Sequence, residues 1–248
     1  MIDGTDRGHV VWHLDWKLTI ERTIRAVSSQ DCRITDFVLD QQEDYDYHDN
    51  SGFCTDNITP QLNYVCSQLS SLEVTAHHHD IHDTAESIRR IVSAAKTLKH
   101  LHLWDMGGVE YSIGDYIPDI LRSVTPTSLE TITFAMTYIS LAELVAFLRR
   151  QKGTLRELRM LQRSRLLESC MSLIAWIKDN LHSLVYLELN EICDDAPSWA
   201  DEKAKSYWVT HGEDMQTGLA DILDGKINHK YTVENIGGIP HGVMINNA

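Results

Sequence analysis

Hydrophobic residues recur along the chain with the spacing Leu-x-x-Leu-x-Leu, in which the last two apolar positions flank a more polar one. Five strong copies begin at Leu69, Leu98, Leu129, Leu155 and Leu184, so successive copies start 29, 31, 26 and 29 residues apart. A near-constant period of this length is typical of a repeat protein, in which each unit buries its apolar side against its neighbours. The pattern therefore predicts a repeat array.

Each copy predicts a short strand that is followed by a helix. A weaker first copy begins at Ile34. Between the strands, apolar residues recur at helical spacing, and two segments have the spacing of a helix-capping box, Asp83-x-x-Glu86 and Ser140-x-x-Glu143. We therefore expect an α/β fold, a right-handed solenoid with a parallel β-sheet on its concave face and helices on its convex face.

The predicted array covers residues 31–192 in about six units, and the flanking segments are predicted to cap it. Residues 1–30 contain an amphipathic helix, and residues 193–248 contain a long polar excursion followed by a short amphipathic helix. Residues 40–57 are acidic and rich in turn-forming residues, which indicates an exposed insertion. A repeat array gives no reason to divide this chain of 248 residues into separate domains.

The charge and the cysteines narrow the expected partners and location. The chain has 22 Lys and Arg residues against 36 Asp and Glu residues, a net charge of −14. We expect neither nucleic acid nor a membrane surface as a partner, because binding phosphate requires clustered basic side chains. The five scattered cysteines show no Cys-x-x-Cys spacing, and no signal-like apolar run opens the chain. These features predict an intracellular protein of the cytoplasm or nucleus.

The strand alternation also predicts which side chains share the concave face. Residues at equivalent positions of neighbouring strands lie about 4.8 Å apart in the backbone. Glu73 is therefore expected beside His102, and Arg159 beside Glu188. Three neighbours in the next column are expected to form an exposed apolar strip: Trp104, Ala135 and Leu161.

This mixture of aromatic, cationic and carboxylate side chains is typical of a binding groove. We predict a protein- or peptide-recognition module. Its candidate binding residues are His100, Trp104, Arg159, Leu161, Tyr186 and Glu188. A simpler alternative is cross-strand pairing that only solvates the sheet.

The functional alternative is an enzyme that acts on a small molecule bound at the same face. In that case Glu73 would orient His102 as a general base, because a neighbouring carboxylate fixes the imidazole tautomer and raises its basicity. The chain contains no motif for a Ser or Cys nucleophile and no glycine-rich phosphate loop, so no cofactor is expected. Recognition remains the preferred interpretation.

A separate cluster, His77–Asp83, contains four histidines and two aspartates. These residue types are good ligands for zinc. However, ligands packed closely along one loop rarely converge on a single ion, and Asp83 is expected to cap a helix. We therefore predict no native metal site here.

The strand spacing, the intervening helices and the period near 29 residues resemble the leucine-rich-repeat family. The segment Thr97–Trp104 (TLKHLHLW), which follows a basic helix, is similar to the repeat region of F-box proteins from filamentous fungi. The resemblance covers about residues 30–192 and implies a solenoid that binds proteins. The asparagine that usually follows such a strand is missing from most copies, with only Asn190 near that position. Residues 1–30 have no Leu-Pro-rich F-box helices, so the resemblance does not extend to binding a ubiquitin-ligase adaptor.

Overall fold

The structure is a computed structural model, and the residues it describes fall in nine segments. These are residues 16–40, 58–75, 81–104, 116–125, 128–161, 164–166, 168–194, 205–210 and 215–225. The chain divides into two compact units, Met1–Leu129 and Glu130–Ala248. Both units combine parallel strands with helices, which confirms the α/β class. Almost all of the predicted acidic insertion and the imidazoles of the histidine cluster lie outside the described residues.

The first unit alternates helices with parallel strands. Its elements in chain order are α1 (Trp16–Ser29), β1 (Asp36–Asp40), α2 (Thr59–Val65), β2 (Ser71–Thr75), α3 (Ile81–Ala94), β3 (His100–Trp104) and α4 (Tyr116–Ser123). Asp36 pairs with Ser71, and Ser71 pairs with His100, so β2 lies between β1 and β3. This is the register that the repeat spacing predicts for these three copies.

The second unit continues the same alternation and adds shorter strands. Its elements are β4 (Thr131–Ala135), β5 (Tyr138–Ile139), α5 (Leu141–Gln151), β6 (Glu157–Leu161), β7 (Arg165–Leu166), α6 (Cys170–Asn180), β8 (Tyr186–Asp194), β9 (Lys205–Thr210) and α7 (Met215–Leu223). Strands β4, β6 and β8 form one parallel ladder, and β5, β7 and the end of β8 form a second. Strand β9 pairs with β8 in the antiparallel direction.

The core contains the apolar residues that the repeat pattern selects. In each copy the two apolar strand positions are at most 4% exposed. They are Phe37, Leu39, Leu72, Val74, Leu101, Leu103, Ile132, Phe134, Leu158, Met160, Leu187 and Leu189. The helices bury residues at helical spacing, such as Ile88, Ile91 and Val92 in α3. Burial of these side chains is the main favourable contribution to folding, at roughly 25 cal/mol for each Å² of apolar surface.

The two predicted capping boxes have different outcomes. At the start of α5, Glu143 N–H donates to Ser140 Oγ at 3.2 Å, and Ser140 Oγ donates to Glu143 Oε2 at 2.8 Å. The prediction of a capping box at Asp83 was wrong, because α3 already begins at Ile81. Glu86 instead accepts hydrogen bonds from two arginines one turn later, which lower the pKa of its carboxyl to about 2.

Several elements were not predicted from the sequence. They are α2, the short strands β5 and β7, and β9, which lies within the segment predicted to be a long polar excursion. The turns after β4 and β6 are joined by a buried hydroxyl: Ser164 Oγ donates to Leu161 O at 2.8 Å and accepts from Thr137 N–H at 3.3 Å.

Within the described ranges, no helix has both the length and the apolar character needed to cross a membrane.

Candidate functional site

In the first unit, the residues predicted to share a face are aligned by the pairing of β2 with β3. Glu73 lies opposite His102, and Thr75 lies opposite Trp104. These four side chains are half-buried, whereas Val74 and Leu103 between them are fully buried. The predicted neighbour relationship between Glu73 and His102 is therefore confirmed at the level of the backbone register.

Trp104 has a polar atom that the fold leaves unsatisfied. Its indole Nε1 is buried, and it has no hydrogen-bond acceptor among the described residues. A buried indole N–H usually finds a partner, because burying an unbonded donor costs free energy. Trp104 is half-buried as a residue, so part of its ring faces solvent. It thus combines a partly exposed ring with a donor that no described residue accepts from.

In the second unit, four side chains on β6 and β8 form a connected group, called here the Arg159 cluster: Glu157, Arg159, Tyr186 and Glu188. Arg159 Nη2 donates to Glu157 Oε2 at 3.0 Å. The guanidinium carbon of Arg159 lies 4.6 Å from the centroid of the Tyr186 ring. Tyr186 Oη in turn donates to Glu188 Oε2 at 2.9 Å.

The cluster forms because strand geometry places all four residues on one face. Glu157 pairs with Tyr186 and Arg159 pairs with Glu188 in the register of β6 and β8, and alternate residues of a strand share a face. Arg159 lies opposite Glu188 in this register, as the repeat spacing predicts. Arg159 also forms an ion pair with Glu157, two residues back on its own strand. A long Arg side chain reaches along the strand as easily as across it.

The electrostatics of the cluster hold Tyr186 in its neutral form. Burial raises the pKa of the phenol, and the adjacent Glu188 carboxylate raises it further by charge repulsion and by accepting the phenol hydrogen bond. The neighbouring Arg159 opposes this effect but does not overcome it. At physiological pH the phenol is therefore a hydrogen-bond donor, and it holds the Glu188 carboxylate in place.

Strand β4 differs from β6 and β8 because both of its faces are buried. Ala135 is 0% exposed, so the expected exposed strip of Trp104, Ala135 and Leu161 was wrong at its central member. Leu161, which pairs with Ala135 in the register of β4 and β6, is half-buried. The outward residues Thr131 and Thr133 are buried as well, at 8% and 3% exposed. A period of two identifies the faces of a strand, but not which faces other parts of the chain cover.

Two residues that are paired between β4 and β6 each have a buried polar atom. Thr133 pairs with Arg159 in the strand register. Thr133 Oγ1 and Arg159 Nε are both buried, and neither has a hydrogen-bond partner among the described residues. Thr133 shares a column with the candidate residues, yet sequence reasoning did not select it. An isolated threonine in a strand carries no functional signal, because threonine is common in strands for its shape alone.

The predicted binding residues thus fall into two groups. His100 and Trp104 lie on β3 of the first unit, whereas Arg159, Leu161, Tyr186 and Glu188 lie on β6 and β8 of the second. Glu157, which was not selected, is the ion-pair partner that orients Arg159. Among the side chains that the structure describes, no three His, Cys, Asp or Glu residues come together as metal ligands would. No protein-family model, curated protein or solved structure matches this chain.

Proposed function

We propose that this chain is an intracellular recognition module built as a leucine-rich-repeat-like solenoid, which binds a protein or peptide through the outward face of its strands. The Arg159 cluster is the observation that supports this function. It presents an arginine, 38% exposed at its side chain, stacked on a tyrosine and flanked by carboxylates. Arginine, tyrosine and tryptophan are the residues most enriched among those that dominate binding energy at protein interfaces.

The fold supports the proposal in two further ways. The parallel register places equivalent residues of successive repeats side by side, as a solenoid requires. The cysteines whose state the structure describes are free thiols, namely Cys32, Cys66 and Cys170. Free thiols are typical of proteins in a reducing compartment, which favours the cytoplasm or nucleus.

The test is affinity purification of the intact protein from its native cell extract, read out by mass spectrometry. A Trp104→Ala, Arg159→Ala double variant is processed alongside. For any captured protein, each single variant is expected to weaken binding by more than about 1 kcal/mol, or roughly fivefold in Kd, measured by calorimetry.

Matched controls come from the helices. Trp176→Ala removes a half-buried tryptophan from α6, and Arg89→Ala removes an arginine of α3 that also pairs with a glutamate. Both controls should bind normally. Equal affinity in the Trp104 and Arg159 variants would contradict binding through this face. Capture of a ubiquitin-ligase adaptor would instead support the likeness to F-box proteins.

The second candidate function is a small-molecule enzyme that uses His102 and Glu73. It is favoured by one observation, the direct opposition of these two residues in the register of β2 and β3. Native mass spectrometry of protein purified from its source would show a bound metabolite in this case. Loss of that metabolite in Glu73→Gln and in His102→Gln, with the fold intact by circular dichroism, would support an enzyme over a recognition module.

A further inference from the structure

The edge of the second unit at which α5 and α6 end carries a group of cationic side chains, called here the basic rim: Arg149, Lys152, Arg156 and Lys178. Arg149 and Lys178 lie in the last turns of α5 and α6, Lys152 is the C-cap residue of α5, and Arg156 directly precedes β6. Three of the four are exposed, and Lys178 is half-buried. None belongs to the Arg159 cluster, so the inference drawn from them goes beyond the proposed recognition face.

Hydrogen bonds through Ser183 hold the two loops of the rim together. Ser183 Oγ donates to Lys152 O at 2.6 Å, and Arg156 Nη1 donates to Ser183 O at 3.1 Å. Both cationic residues therefore contact the same serine. Arg156 uses one of its five N–H donors in this bond, which leaves the others for a ligand.

The charges of the rim are unopposed, which is unusual in this acidic chain. The sequence has 36 Asp and Glu residues against 22 Lys and Arg residues, and exposed arginines elsewhere find a carboxylate, as Arg25 does with Glu21. Arg149, Lys152 and Arg156 form no ion pair within the part of the chain that the structure describes. Neighbouring like charges repel one another, and a bound anion would remove that repulsion.

The dipoles of the helices account for only part of the rim. A cation in the last turn offsets the partial negative charge of a helix C-terminus, which explains Arg149 and Lys178. Lys152 and Arg156 stand beyond the last turn of α5. The carboxylate of Asp179 lies at the end of α6, but a single exposed carboxylate does not balance four cations.

An exposed apolar side chain borders the same surface. Val185 is 37% exposed, although it directly precedes β8. Its N–H donates to Arg156 O at 2.8 Å, so the two residues are neighbours across adjacent chain segments. The rim therefore offers a ligand both cationic groups and an apolar contact.

These features favour a peptide over other anions. Phosphate groups are typically held by backbone N–H groups at helix N-termini, whereas α5 and α6 present their C-termini here. A nucleic acid would extend well past four cations and meet the net charge of −14. A short acidic peptide needs only the side-chain cations, and its apolar residues can contact Val185.

We propose that the basic rim is a docking surface for a short segment of a partner protein that is rich in Asp or Glu. The rim selects the segment by its negative charge.

The test uses the intact protein and two fluorescein-labelled peptides, Ala-Glu-Glu-Leu-Glu-Glu-Ala and its glutamine counterpart Ala-Gln-Gln-Leu-Gln-Gln-Ala, in fluorescence polarisation. The peptides differ only in charge. We expect the glutamate peptide to bind at least about fivefold tighter, the combined effect of two or more exposed ion pairs. Its affinity should fall between about 0.05 M and about 0.5 M salt, because salt screens exposed charges.

The double variant Arg149→Gln, Lys152→Gln should weaken the glutamate peptide about fivefold. Neither side chain forms a hydrogen bond or ion pair with another described residue, so the fold should be retained. The matched control Arg22→Gln, Arg25→Gln removes the same charge from the exposed side of α1 and should leave the affinity unchanged. Equal affinity for the two peptides, or an equal loss in both double variants, would overturn the proposal. Displacement of the peptide by an equal concentration of a short single-stranded DNA would overturn the choice of a protein segment.

The docking surface and the proposed function fail in different ways. If a captured protein loses affinity in Arg159→Ala but the two peptides bind equally, the recognition function stands and the docking surface is wrong. If the glutamate peptide is selected through Arg149 and Lys152 but the Trp104 and Arg159 variants bind the captured protein normally, the docking surface stands and binding through the strand face is wrong.

Discussion

At the scale of single residues, the hydroxyl of Ser164 shows how a polar atom can be essential inside an apolar core. Ser164 is 0% exposed, and its Oγ joins the turn after β6 to the turn after β4. In Ser164→Ala, the buried Thr137 N–H loses the oxygen to which it donates. We expect a loss of about 1–3 kcal/mol in the free energy of unfolding, measured by urea titration.

The matched control for this substitution is Ser172→Ala, on the exposed side of α6. A surface change of this kind should alter stability by less than about 0.5 kcal/mol. If both variants unfold at the same urea concentration, the hydrogen bonds of Ser164 contribute nothing to the stability of the second unit.

Tyr186 makes a prediction about alkaline pH. Its pKa is raised above the ordinary value of 10.0, chiefly by burial. The folded protein therefore favours the neutral phenol, and the resulting stability is fully present below pH 10 and is lost as the pH rises above it. We expect stability to fall less steeply above pH 10 in Tyr186→Phe than in the unaltered protein.

Urea unfolding is measured at neutral pH and again at a pH above the ordinary tyrosine pKa of about 10. The difference between the two free energies of unfolding is then compared between the variant and the unaltered protein. Tyr138→Phe, in β5 of the same unit, is the control for removing a tyrosine hydroxyl elsewhere in the unit. Identical alkaline profiles for the Tyr186→Phe variant and the unaltered protein would show that the phenol ionises without opposition from the fold.

At the scale of elements, α5 begins at a capping box that combines local and long-range bonds. Ser140 and Glu143 cap it reciprocally, and Glu168 Oε2 accepts from Leu141 N–H at 2.6 Å. Ser140→Ala should cost about 1 kcal/mol of stability, a typical value for loss of an N-cap side chain. Urea titration against Ser172→Ala checks it, and equal stability of the two variants would contradict the role of the cap.

The contrast between α5 and α3 shows what local sequence can predict. Both have a capping-box spacing, but in α3 the carboxylate of Glu86 is held by Arg89 and Arg90, three and four residues later. These are ordinary pairs within a helix, and they compete for the group that the box requires. Ser140 has no such competition, since no arginine stands three or four residues after Glu143. A spacing rule alone does not distinguish the two cases.

The strands could be predicted from the sequence because buried positions recur with a period of two. The burial of the opposite, outward face of a strand could not be predicted in this way. Phe134 and Met160 were assigned to the core correctly from the period of two alone. Ala135 was assigned to an exposed strip, yet it is 0% exposed, because an alternating pattern does not show which strand faces the rest of the chain covers. Within β9, Tyr207–Thr210 has the aromatic and β-branched composition of a strand, but charged neighbours hid the signal.

The sequence predicts only part of the candidate site, because the repeat period determines the strand register but not the side-chain conformations. The register that brings Arg159, Tyr186 and Glu188 together follows from the repeat period. The choice of Glu157 as the ion-pair partner of Arg159 depends on side-chain rotamers, which the period does not specify. The burial of Thr133 Oγ1 and Arg159 Nε without a hydrogen-bond partner among the described residues also depends on side-chain packing, which the period does not specify.

At the scale of the whole molecule, charge and histidine content make a joint prediction. The net charge is −14 at neutral pH, and the chain has 13 histidines, which is almost enough to offset this charge if all of them become protonated. Free histidine titrates near pH 6.5. Acidification from pH 7 toward the sequence pI of about 5.3 should therefore remove nearly all of the net charge. Because charge repulsion keeps acidic proteins apart, solubility should reach its minimum near that pH.

Electrophoretic mobility measured across this interval tests the prediction. We expect the mobility to fall steeply between pH 7 and the pI, and to change little between pH 7 and about pH 8, where few groups titrate. A mobility that stays nearly constant on acidification would mean that the fold holds many histidines neutral, as buried or ligand-like imidazoles. That result would favour the enzymatic alternative at His102, because a general base depends on an imidazole that stays neutral near physiological pH.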